Sequence, residues 1–170
     1  MAMIHVCPLS KLEDTLRTSG ARTLVSLLKP DAGFGRPEFI AADRHLLLEM
    51  SDIAAPLEGH VEPAEAHVAR LIDFVLRAER KSPVVIHCHA GVSRSTAAAF
   101  VVVCALQPDQ SEHAIAGTVR RLSPTATPNP LIVRHGDKLL GRNGRMIAAM
   151  LAIGRGTECY EGVPFSLDPG

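Results

Sequence analysis

Val84, Val85 and Ile86 form an unbroken β-branched run, followed at once by His87-Cys88-His89, the small residues Ala90-Gly91-Val92-Ser93, and Arg94-Ser95-Thr96. A strand that is apolar at every position cannot leave one face to water, so this run calls for a sheet covered on both sides, the usual setting of parallel strands with helical crossovers. The remaining pattern agrees. Ile4–Val6, Thr23–Leu28 and His45–Met50 read as further strands, with Lys11–Ser19 helical between the first two and Gly20 as its stop. Residues 29–36 and 51–62, rich in Pro, Asp and Gly, read as loops. From Pro63 onward, Val68, Leu71, Ile72, Val75 and Leu76 follow the spacing of one buried helical face.

After Arg94, the run Ala97–Leu106 is expected as a buried helix, since its length and context outweigh the strand preference of Val101–Val103. Asp109 with Glu112 resembles a capping box for a helix carrying Ile115, Val119 and Leu122. Two further helices are expected over Leu131–Leu140 and Arg145–Ile153, each stopped by a glycine. The fold class expected is therefore α/β, a central, mostly parallel sheet flanked by helices on both faces. A single domain over residues 1–170 is expected, with 155–170 an irregular tail.

Charge and cysteine usage narrow the function. Lys+Arg and Asp+Glu both total 18, so no basic excess calls for nucleic acid or an anionic membrane as partner. The longest apolar stretch, Ala97–Leu106, falls well short of the roughly 20 residues of a membrane span, and residues 1–8 lack the basic flank of a secretory signal. A cytoplasmic protein is the expectation. Cys7, Cys88, Cys104 and Cys159 have no paired C-x-x-C spacing, which favours reduced thiols over zinc ligands or a disulfide framework. No metal or other cofactor is expected; adjacent His87, Cys88 and His89 on a strand would point to opposite sides.

A strand running through a tight loop into a helix N-terminus makes an anion site, because the first amides of the helix lack intrahelical partners and the helix dipole favours negative charge there. Cys88 stands at the first position of that loop, where the same potential favours its thiolate. Arg94, at the far end, can fold back and grip two phosphate oxygens in a planar fork that lysine cannot supply. Gly91 falls where a tight loop needs a positive φ or a close backbone approach.

The stretch from His87 to Ser95 resembles the H-C-x5-R-[ST] signature of the protein tyrosine phosphatase superfamily, and its small residues resemble the dual-specificity branch. The resemblance implies Cys88 as nucleophile, Arg94 as phosphoryl ligand, the backbone of His89, Ala90, Gly91, Val92, Ser93 and Arg94 as the phosphate cradle, His87 as support behind the cysteine, and Ser95 as a hydrogen-bond donor to the leaving sulfur. It also implies an upstream Asp as general acid; Asp52, just after the strand His45–Met50, is chosen, with Glu58 and Glu62 as rivals in the same loop and Asp43 at the wrong sheet end. Asn129, before a late helix, is a support residue by the same likeness. The expected substrate is a phosphorylated protein or peptide, phosphotyrosine first and phosphoserine or phosphothreonine second.

Three other functions compete. A phosphoinositide or other small phosphate would call for lysines inside the loop, and none is present. A catalytically silent phosphate-binding module would use the same cradle without turnover. A rhodanese-like sulfurtransferase fits poorly with a His before the cysteine and a hydroxyl after the arginine. Cys7, Cys104 and Cys159 are expected as small buried hydrophobes, Arg120-Arg121 as a solvated helix edge, and the remaining histidines as surface or satisfied core groups.

Overall fold

A computed structural model describes residues 3–79 and 81–170. Five strands, β1 (Ile4–Pro8), β2 (Thr23–Leu28), β3 (His45–Glu49), β4 (Val84–Cys88) and β5 (Phe165–Leu167), and six helices, α1 (Leu12–Ser19), α2 (Glu65–Arg77), α3 (Arg94–Leu106), α4 (Glu112–Leu122), α5 (Pro130–Leu139) and α6 (Arg145–Ile153), build the fold. The strand order is β3-β2-β4-β1-β5. The first four strands run parallel and β5 pairs antiparallel with β1. Both β2 and β4 are buried at every position, as their continuous apolar runs require.

The two faces carry different cores. On one face, Cys7, Leu24 and Val85 meet Leu12 and Leu16 of α1, with Ile40 closing the edge. On the other, Ile4, Val6, Val25, Ile86 and Cys88 meet the inner helices, with α3 at the centre and contacts to α2, α4 and α5. Eleven residues of α3 are buried, the helix is apolar on every side from Ala97 to Cys104, and Ala97–Ala99 let it lie close to the sheet. Gly136 of α5 is part of that tight fit: a Cβ there would stand 2.5 Å from Val101 Cγ2.

Three expectations change. The tail from Arg155 is irregular only as far as Pro164, after which Phe165–Leu167 joins the open edge of β1, burying Phe165 and Leu167. The N-cap of α4 is Ser111 rather than Asp109. Glu112 turns instead to Arg142 and Arg145, each at 3.1 Å, because a buried carboxylate gains more from two guanidiniums than from one backbone amide. Arg120 is half-buried rather than a free solvated edge; its guanidinium ties the end of α6 to the loop after α4 through the carbonyls of Ile153, Gly154 and Ala126. Among the described residues, no helix is long and apolar enough to cross a membrane, and no group of three or more His, Cys, Asp or Glu side chains could hold a metal ion.

Candidate active site

The loop 89–93 lies at the carboxyl end of the parallel sheet, where β4 hands over to α3. Its shape is imposed from outside. The carbonyl of His89 accepts from Leu9 N–H (3.0 Å), that of Ala90 from Gly162 (2.8 Å), that of Val92 from Thr127 (2.9 Å) and that of Ser93 from Asn129 (3.2 Å). In a planar trans peptide the following N–H points the opposite way. Four carbonyls held outward therefore turn the amides of residues 90, 91, 93 and 94 inward, a concave nest for an anion.

Cys88 Sγ occupies this nest. Gly91 N–H donates to it at 3.3 Å, and Ser95 Oγ lies 3.1 Å away. Gly91 adopts φ +69°, and a Cβ there would stand 2.6 Å from Pro8 N, so both the left-handed turn and the close seat on the end of β1 require glycine. Burial separates the other thiols: desolvation pushes Cys7 up to about 11 and Cys104 up to about 12, leaving them neutral at physiological pH. Cys159, expected inside, is exposed.

Arg94 opens α3 and is buried, with Nη1 donating to the Met50 carbonyl at 2.9 Å. Its Nε is buried with no partner among the described residues. Met50 is itself fixed by its amide on the Leu28 carbonyl (2.8 Å). The next loop is pinned at its neck by Ser51 N–H on the Val61 carbonyl (2.7 Å) and places Asp52 over the nest. Asp52 Oδ1 accepts from Ser93 Oγ at 2.6 Å and from Asn129 Nδ2 at 3.0 Å.

Asn129 is 2% exposed and works at both ends of its amide. Oδ1 caps α5 by accepting from the amides of Leu131 and Ile132, while Nδ2 also donates to the Ile53 carbonyl at 3.0 Å. The structure thus brings Cys88, Arg94, Ser93, Ser95, Asp52 and Asn129 together. Asp43 sits in the turn before β3, at the opposite sheet end, and Glu58 and Glu62 line a separate shallow depression with Leu57 and His60.

His87 lies on the other side of the sheet from the sulfur, on the α1 face. Its Nε2 is 2.7 Å from Ser26 Oγ, which is 2.9 Å from His45 Nε2. Burial lowers the His87 pKa to about 4, so the ring is neutral. Ser26 and His45 escaped the sequence reading because 61 residues separate Ser26 from His87 and only strand pairing brings them side by side. The wall of an adjoining cleft of about 800 Å³ was also missed: Arg155, Glu158 and Cys159 face Asp52, Ser93 and Asn129 across it. A polar loop after a helix carries no signal for such a role.

The protein-tyrosine phosphatase family model matches residues 57–125, from the loop before α2 to the turn after α4. Among solved structures, the PTP-2 phosphatase of Cydia pomonella superposes with a TM-score of 0.61 at 20% identity over 79% of this chain and 84% of that one. DUSP15 gives 0.62 at 17% identity over 88% and 89%. PTPMT1 in complex with PI(5)P gives 0.61 at 12% identity over 81% and 87%. No curated protein sequence matches the chain. What the chain shares with these structures is the fold, a mostly parallel five-stranded sheet flanked by helices. Residues 57–125 thus match the protein-tyrosine phosphatase model, and the chain as a whole shares its α/β fold with these phosphatase structures.

Proposed function

We propose that the protein hydrolyses phosphate monoesters through a cysteinyl-phosphate intermediate on Cys88. The observation that carries this reading is the set of loop carbonyls tied outward around a cysteine sulfur, which leaves inward amides to hold three phosphoryl oxygens at bonding distance from the nucleophile. The Cys88 thiolate attacks phosphorus and the bond to the leaving oxygen breaks; Asp52 gives that oxygen a proton. Arg94, with its buried Nε uncommitted, binds the equatorial oxygens. Water then attacks the phosphocysteine, Asp52 takes its proton, and Ser95 donates to the departing sulfur, releasing inorganic phosphate.

The substrate read from this site is a phosphorylated protein or peptide, phosphotyrosine before phosphoserine or phosphothreonine, in a cytoplasmic setting. The loop offers no lysine to meet further phosphates, and the polar cleft beside Ser93 has room for chain flanking a phosphorylated residue. A phosphoinositide is the second reading, because PTPMT1 was solved with PI(5)P on the same fold.

Kinetics on an aryl phosphate, a phosphotyrosine peptide, a phosphoserine peptide and a phosphoinositide test both. Cys88→Ser is expected to abolish turnover of all of them, and retained turnover rejects the mechanism. Asp52→Asn is expected to lower kcat by about 10² for poor leaving groups and less for good ones. Equal loss for both assigns the proton to another group.

A further inference from the structure

The hydrogen-bonded row His45–Ser26–His87 has no part in the chemistry above, yet it ends directly behind the nucleophile. Strand register explains how it arises: Ser26 of β2 is paired with His87 of β4, and His45 of β3 is paired with Leu24, one same-face position from Ser26. Three side chains from three adjacent strands therefore project on the α1 face, sheltered by the Phe34 ring, which lies 5.8 Å from His45 and 5.2 Å from His87.

We propose that Ser26 and His45 are positioning residues that hold His87 in the tautomer protonated at Nδ1, and that this orients the Cys88 peptide behind the sulfur. The inference rests on Cys88 being the nucleophile. Its logic is that of a single proton. A serine hydroxyl donates once, so at most one imidazole accepts from Ser26 and at least one donates to it. Burial lowers both His45 and His87 from the ordinary imidazole range, so near neutrality each ring carries one N–H.

The direction of the row follows from His87. Its Nδ1 is buried without a partner of good geometry among the described residues. The Cys88 backbone, however, favours the protonated ring, as a carbonyl acceptor does and an amide N–H does not. Nδ1 therefore carries the proton toward that carbonyl, Nε2 accepts from Ser26 Oγ–H, and His45 Nε2–H donates to Ser26. The reverse polarity would leave a bare acceptor buried at Nδ1, at a cost.

The other groups that bear on the row fit neutral rings. Arg94 from α3 lowers His87, Arg36 from the loop after β2 lowers His45, and Cys7 of β1, the Cα partner of His87, is a neutral thiol. Among the described residues, no carboxylate on this face draws a second proton onto either ring.

The test reads ionisation of Cys88 without turnover, so it separates from failure of the phosphatase reading. In a Cys159→Ser background, which removes the exposed competing thiol, alkylation of Cys88 by iodoacetamide is followed by mass spectrometry from pH 5 to 9. Ser26→Ala and His45→Leu are expected to move the midpoint up by about half a unit, which is about threefold slower alkylation on the acidic limb. His45→Gln, whose amide can still donate to Ser26, is expected to match the parent. Circular dichroism and melting establish that each variant is folded; His45, only half-buried, gives the second route should Ser26→Ala not fold. Folded variants that titrate like the parent overturn the proposal, as does a His45→Gln shift equal to that of His45→Leu.

Discussion

Asn129 is where stability and catalysis can be separated by one side chain. Replacing it by alanine removes an N-cap on α5, about 1 kcal/mol and at most about 2. It also removes two donations from Nδ2, about 1 kcal/mol each, and leaves the Ile53 carbonyl and one Asp52 oxygen without that partner. The sum is about 3 to 4 kcal/mol. At about 2 to 4 °C per kcal/mol for a chain of this size, the melting temperature should fall by about 6 to 16 °C.

Asparagine and aspartate cap helices about equally well, so Asn129→Asp keeps the cap while setting a carboxylate against the Asp52 carboxylate. It should therefore recover part of the stability and none of the rate. Both variants should lose kcat chiefly on substrates with poor leaving groups, because what they loosen is Asp52. In an Asp52→Asn background the further rate loss should shrink, the mark of two residues acting through one step. Calorimetry with steady-state kinetics on two aryl phosphates of different leaving-group acidity measures all of this. An Asn129→Ala protein that melts within 1 °C of wild type, or loses rate equally with Asp52 absent, would refute the reasoning.

Three further outcomes are expected. Gly91→Ala should lower both stability and kcat/KM, since the left-handed turn alone costs about 1 to 2 kcal/mol before the contact with Pro8 is counted. Gly59→Ala, at φ +76° with open space around it, should cost only the turn and leave the rate alone; equal effects would contradict the close seat of the loop. Arg94→Lys should lower phosphate affinity and turnover together by about 10- to 100-fold, the worth of one to two charge-assisted bonds, and wild-type kinetics would count against the fork. Stability should fall with acid. His87 is neutral in the fold, with a pKa of about 4 against an ordinary 6.5, so its contribution is complete above 6.5 and is lost as pH falls toward 4. From pH 6.5 to 5 this amounts to about 2 kcal/mol, and half-buried His5, His45 and His67 act in the same direction. Melting curves across that range should show the loss, and His87→Gln should reduce it; a flat profile would mean the ring is already charged.

Much of the site was legible because its chemistry is local. A buried β-branched strand, a loop of small residues and a helix start occur in one stretch, and the cysteine-to-arginine spacing needs no partner from elsewhere to be recognised. The choice of Asp52 over Asp43 also followed from local order, since residues after a parallel strand and residues before it lie at opposite sheet ends. What failed was less local. Glu112 looked like half of a capping box, and only the approach of α5 and α6 supplies the arginines that capture it. Phe165–Leu167 is too short to announce a strand, and it becomes one because β1 offers an unpaired edge.

The sequence by itself determined the neighbourhood of Cys88, the parallel α/β class and the existence of the helices, since each depends on residues within a few positions of one another, on periodicity or on turn chemistry. Tertiary structure alone decided which carbonyls hold the loop open, which side chain pins Asp52, and that a serine and two histidines from three strands stand in one row behind Cys88. Those contacts join segments far apart in the chain. No local preference encodes them, because their free energy exists only once the sheet has set the strands in register.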